Sequence, residues 1–179
     1  YELNAERDVV NATVAELEAF RDGAGPDIDI LLDLNFNFRT EGYLRMVEAL
    51  APLGLFWIEL DTYNPDALAL IRSRSSTTIS SGETLFGIRE FRPYFDRQAM
   101  DVAIIDAVCN GVWQSTKIAA LAEAPEANIA PPSRYRPPPT MTNAHSLAAG
   151  PHFRRLHQHP QHAPRSHGLS AGPAQYSHT

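Results

Sequence analysis

Four carboxylates recur at nearly constant spacing: Asp33, Glu59, Glu83 and Asp106 lie 26, 24 and 23 residues apart. Each ends an apolar or β-branched run, "DIDILLD", "LFWIE", "TTISSGE" and "DVAIID". A charge at the end of a core strand costs on the order of a few kcal/mol unless it is paired or coordinated. Carboxylates are the hard oxygen donors that Mg²⁺ takes, usually with several waters retained. A single carboxylate after a strand is equally well read as a cap of the following helix or as a solvated loop residue. Four at the same place in successive units favour a shared site.

The elements that would carry them follow from periodicity. Residues 6–21 place Val10, Val14, Leu17 and Phe20 at helical spacing and run out near Gly23 and Gly25. Residues 27–35 and 55–59 read as strands, separated by a helix that Thr40 can cap and that carries Tyr43, Leu44, Val47 and Leu50 up to Pro52. Asn64-Pro65 is a cap followed by proline at the first helical position. Residues 77–83 read as a strand, 87–97 as a helix, 101–106 as a strand, 112–123 as a helix and 127–131 as a last strand. Strands alternating with helices imply βα units and a parallel sheet. A unit of roughly 25 residues with its carboxylate at the strand's C-terminal end predicts an α/β fold of the (β/α) barrel type, in which those ends converge on one mouth. Glu59 is then charged because it points into that mouth.

Composition adds a boundary. Residues 1–130 hold all 21 acidic residues against 10 Lys and Arg, whereas 131–179 hold no Asp or Glu, five Arg, all seven His and nine of the fourteen Pro. The expected organisation is a partial barrel over 1–131 and a Pro/His/Arg-rich tail over 132–179, without the core-forming period of a folded segment. No apolar run approaches the ~20 residues of a membrane span. One cysteine, Cys109, excludes an internal disulfide and fits a reducing, cytoplasmic compartment. Five arginines spread over the 49 residues of the tail make a poor nucleic-acid footprint.

The ordered set "LLDLN", "FWIELD", "SSGETLFG" and "AIIDAVCNG", followed by "KIAALAEA" and "NIAP", resembles the barrel domain of the enolase superfamily, in its mandelate racemase and muconate lactonizing enzyme branch. Its wording is similar to acid-sugar dehydratases of the galactonate type. The resemblance covers about residues 27–131, with an echo in "TMTNAH" (140–145). It implies Mg²⁺ held by Asp33, Glu59 and Glu83, a small carboxylate substrate such as a sugar acid, and an oligomer built through barrel helices. Asp106 would orient a histidine base from the next strand, and Asn35 would contact substrate or metal-bound water, a structural turn role being as good a reading. Trp57 and Trp113 are expected in barrel packing. Cys109 stands where the family often has tryptophan and is given no chemistry.

Two of the family's parts have no counterpart in the sequence. The basic residue expected on the strand before Asp33 is missing, since the one lysine is Lys117 in a helix. Pro132 stands where the histidine base is expected, and proline neither accepts a proton nor binds metal. His145 aligns with a helix position. Codons permitted for residues 132–138, read one nucleotide later, give His-Gln-Asp-Ile-Gly-His-Leu, so a shifted reading frame is expected after Pro131. These features predict a fragment of a Mg²⁺-dependent enzyme that abstracts the α-proton of a carboxylate. The alternatives are an inactive partial barrel and a binding protein acting through its His/Arg tail.

Overall fold

A computed structural model describes residues 5–132. The tail, including His145 and every other histidine, lies outside the described residues except for Pro132, so its expected disorder or shifted frame is not addressed by the fold.

Helix α1 (Arg7–Ala24) ends at Gly25, whose N–H donates to the Arg21 carbonyl. Val10 and Val14 pack against the core and Leu17 is buried within it, but Phe20, expected on the same stripe, is exposed. Strand β1 (Leu31–Asp33) leads to α2 (Thr40–Leu50), which buries Tyr43, Met46, Val47 and Leu50. Arg39, not Thr40, occupies the N-cap position of α2, without a side-chain cap bond; Thr40 is already helical. Strand β2 (Trp57–Glu59) precedes α3 (Pro65–Arg74), where the Asn64 Oδ1 accepts from the Asp66 and Ala67 N–H groups at 3.0 and 3.2 Å, as the Asn-Pro pair predicts. Then come β3 (Ile79–Ser81), α4 (Gly87–Asp96), β4 (Val102–Ile104), α5 (Ala107–Leu121) and β5 (Asn128–Ala130). Helix α5 starts earlier than expected and is broken at Gly111, whose φ of 70° is left-handed.

All five strands pair in parallel, in the order β1-β2-β3-β4-β5. The chain is therefore an α/β protein built on an arc of consecutive βα units, as the spacing predicts. The two faces of the sheet differ. Ile58, Ile79, Ala103, Ile105 and Ile129 face the helices and join Tyr43, Leu50, Leu68, Ile71, Phe91 and Ile118 in the main core. Trp57, Val102, Ile104 and Ala130 make a separate cluster, with Phe56 against it. In register terms they occupy the concave face, the one a barrel encloses. Among the described residues no helix is long and apolar enough to cross a membrane.

Candidate functional site

Asp33 and Glu59 are the last residues of β1 and β2 and are register partners. Neighbouring strands run roughly 4.8 Å apart, and side chains at matched register share a face. Asp33 and Glu59 thus leave the sheet side by side on the concave face, above Leu31 and Trp57. Asp33 is exposed, and its Oδ1 accepts from the Asn35 N–H at 2.8 Å. Glu59 is half-buried. The residue opposite Glu59 on the other side is Ser80, fully buried, with a hydroxyl that makes no hydrogen bond among the described residues.

Glu83 and Asp106 do not close their strands. Each sits two residues past the end, β3 stopping at Ser81 and β4 at Ile104. Glu83 comes after Gly82, whose φ of +105° bends the chain out of the sheet; a Cβ there would meet the Phe91 ring at 3.1 Å. Asp106 is buried and caps α5, its Oδ1 accepting from the Val108 N–H at 2.8 Å. The helix-cap use of a carboxylate, weighed for all four, is thus seen at Asp106. Asn35 takes a turn role with a φ of 47°, its carbonyl accepting from the Asp61 N–H at 3.0 Å.

Asp33, Glu59 and Glu83 all lie at the C-terminal edge of the sheet, and three carboxylates are the donor set a hard divalent cation takes. The residue types are those that Mg²⁺ takes. Among the described residues, however, no three His, Cys, Asp or Glu side chains are gathered closely enough to hold a metal ion. Trp57 packs in the concave cluster as expected, whereas Trp113 is 72% exposed, with the Lys117 ammonium 4.8 Å from its ring centroid. The break at Gly111 puts residues 112–121 out of helical phase with 107–110.

The residue that sequence reasoning leaves without a role is Asp61. It is 3% exposed, and its Oδ1 accepts from the Ser81 hydroxyl at 3.0 Å and the Gly82 N–H at 3.2 Å. Tyr43 donates its hydroxyl to the carbonyls of both Asn35 and Asp61, and burial, together with nearby carboxylates, pushes its pKa up to about 12. Tyr94, which donates to the Thr62 carbonyl at 2.7 Å, is raised to about 12 by the same causes. The pair of carboxylates two apart in "IELD" is the available signal, but Ser81 and Gly82 lie some twenty positions away in sequence.

An open cavity of about 390 Å³ sits at the opposite end of the strands, around Thr77 and the Arg72–Asp101 ion pair. Asp101 also accepts from the Ile79 N–H, so this pair ties α3 to the start of β3 and β4, a bracing role at the end of a barrel sheet away from chemistry.

Residues 2–179 match the model of the enolase C-terminal domain-like family. A D-gluconate dehydratase of Thermoproteus tenax is 32% identical over 123 residues, 66% of this chain and 24% of the relative. A candidate L-alanine-DL-glutamate epimerase of Burkholderia xenovorans, crystallised with magnesium and fumarate, superposes with a TM-score of 0.82 at 56% identity, covering 86% of this chain and 38% of that one. A mandelate racemase/muconate lactonizing enzyme-like protein of Rubrobacter xylanophilus gives a TM-score of 0.79 at 32% identity, over 84% of this chain and 40% of its own. The chain therefore spans between a quarter and two fifths of the length of these proteins.

Proposed function

The chain belongs to the enolase C-terminal domain-like family, in the mandelate racemase/muconate lactonizing enzyme branch, and from that premise we propose that it is the metal-holding part of a Mg²⁺-dependent enzyme that removes the proton α to a substrate carboxylate. The observation that carries this reading is the in-register pair Asp33 and Glu59 at the C-terminal edge, with Glu83 on the same edge. These three would hold the cation. Bound there, Mg²⁺ supplies electrostatic stabilisation of the negative charge that develops on the substrate carboxylate as the proton leaves. Asn35, two residues beyond Asp33, would contact substrate, and Asp106, fixed by its cap at the start of α5, would orient a base at the end of β5.

The substrate reading is a small sugar acid whose β-hydroxyl leaves after the α-proton, a dehydration. The D-gluconate dehydratase relative supports it. Epimerisation, in which the proton returns to the other face, is favoured by the 56% identity to the Burkholderia protein. The two share the proton abstraction and differ in the fate of the intermediate.

Proton abstraction needs a base, worth about 10²–10⁴-fold. Residues 5–132 contain no histidine, and Lys117 lies on α5 against Trp113. The 179-residue chain should therefore bind Mg²⁺ without turning over. Pro132→His alone should rescue little, because the lysine expected before Asp33 is still missing. A protein carrying that upstream strand and the shifted frame after Pro131 should exchange the α-proton of a sugar acid or an Ala-Glu dipeptide for deuterium. Loss of water would mark the dehydratase, and inversion without loss the epimerase. Exchange by the 179-residue chain that Glu83→Gln abolishes would show the base to be elsewhere. No exchange with any carboxylate by the extended protein would defeat the proposal.

A further inference from the structure

We infer that Ser80 and Glu59 bind a buried water on the concave face of the sheet; the inference stands whether or not the carboxylates at the edge hold a cation. Ser80 and Ser81 are consecutive in β3, and the two-residue period of a strand sends them to opposite faces. Ser81 is level with Ala103 of the main core, and its hydroxyl donates to Asp61. Ser80 turns to the concave side, where its register partners are Glu59 on β2 and Val102 on β4. It is 0% exposed, and its hydroxyl has no hydrogen-bond partner among the described residues.

The setting makes an unbonded hydroxyl unfavourable. Trp57, Val102 and Ile104, its neighbours on the same face, belong to one buried apolar cluster. A hydroxyl left alone there loses its hydration and gains nothing in exchange. Alanine would fill the same space without that penalty, so the position calls for a bonded partner. Glu59 is the carboxylate in register with Ser80, at the roughly 4.8 Å of neighbouring strands. Its side chain is longer than that of serine and half-buried, so its oxygens stand higher above the sheet than Ser80 Oγ. A gap beyond direct reach, with polar groups on both sides, is what a bridging water fills, and a buried water takes about two to four hydrogen bonds. The Ser80 hydroxyl donates one, and the Glu59 carboxylate accepts another from the water. The bridge steadies Glu59 on the side away from Asp33, its other register partner.

The test uses the full chain, methyl-labelled at valine and alanine, with magnetisation transfer from water measured by NMR. Val102 is 5% exposed, so a water contact at its methyls reports a water held inside the fold. The parent should show that contact, whereas the Ala103 methyl, buried on the other face, should show none. Ser80→Ala should abolish the contact at Val102 and lower the urea midpoint, because the water loses a partner and Glu59 its bridge. Relaxation dispersion of the water oxygen, which does not see hydroxyl protons, should show one held water fewer in Ser80→Ala than in the parent. Dry Val102 methyls in the parent overturn the inference. So does a contact or a held-water count that Ser80→Ala leaves unchanged. A midpoint that rises in Ser80→Ala overturns it too, being the result expected when an unbonded hydroxyl is removed from a dry site. Should Ser80→Ala fail to fold, the parent decides: a water contact at Val102 sustains the inference, and its absence defeats it.

Discussion

Asp33 and Glu59 are register partners at the ends of neighbouring parallel strands, yet Asp33 is exposed and Glu59 half-buried. Two carboxylates side by side repel, by about 0.2–1 kcal/mol for a cross-strand pair, and a divalent cation relieves that repulsion. Asp33→Asn keeps the acceptor toward the Asn35 N–H, so it should slightly raise the unfolding midpoint of the metal-free chain while weakening Mg²⁺. Glu59→Gln should weaken Mg²⁺ as well. Calorimetric titration beside urea unfolding checks both, and unaltered Mg²⁺ affinity in Glu59→Gln removes it from the ligand set.

Asp106 has a shown task and a proposed one, and two substitutions separate them. Asparagine caps a helix about as well as aspartate, whereas alanine loses the bond to the Val108 N–H and about 1 kcal/mol with it. Denaturant unfolding should therefore rank Asp106→Asn near the parent and Asp106→Ala below it. In the extended, histidine-bearing protein both should lose α-proton exchange. Full exchange in Asp106→Asn would leave Asp106 with its cap alone.

Stability should fall steeply in alkali. Tyr43 and Tyr94 ionise at about 12 in the fold against 10.0 in an unfolded chain, because burial disfavours the phenolate. The folded state holds these protons more tightly, so the stabilisation is complete below pH 10 and is lost as pH rises from 10 towards 12. Tyr43→Phe gives up the hydrogen bonds to the Asn35 and Asp61 carbonyls, worth about 1 kcal/mol near neutrality, but should flatten the alkaline loss. Urea midpoints measured from pH 7 to 11 report the crossing trend, and parallel curves for parent and variant would contradict it.

The two tryptophans should separate by quenching. Acrylamide should reach Trp113 on the surface of α5 and leave Trp57 in the concave cluster largely protected. Trp113→Phe should remove most of the quenchable emission without a measurable change in unfolding midpoint. Trp57→Phe should shift the midpoint downward, and equal quenching of both single-tryptophan variants would contradict the packing described.

What is legible in the sequence is local. Asn64 and Pro65 announce a helix start because the cap bonds reach only two and three residues ahead. The βα alternation and the edge that carries Asp33 and Glu59 come from spacing. Strand limits are less readable: residues 27–35 are apolar enough for a strand, but only Leu31–Asp33 pair as one, since pairing depends on what β2 presents. Thr40 fits a cap by type, yet the chain enters α2 one residue sooner. Trp113 is expected in packing by its type, yet it stands exposed on α5 with Lys117 over its ring. Asp61 needs the fold itself, its partners being twenty and twenty-one positions away.

Strand order in the sheet is the same as order along the chain, and this bears on how the protein is made. Each strand can dock on its predecessor as synthesis proceeds, closing a loop of one βα unit and no more, which keeps the entropy of closure small. Domains form from the N-terminal side during translation, and every residue of the proposed ligand set lies before Leu85. A nascent chain released as far as Glu83 already carries all three proposed ligands, before β4 and β5 exist.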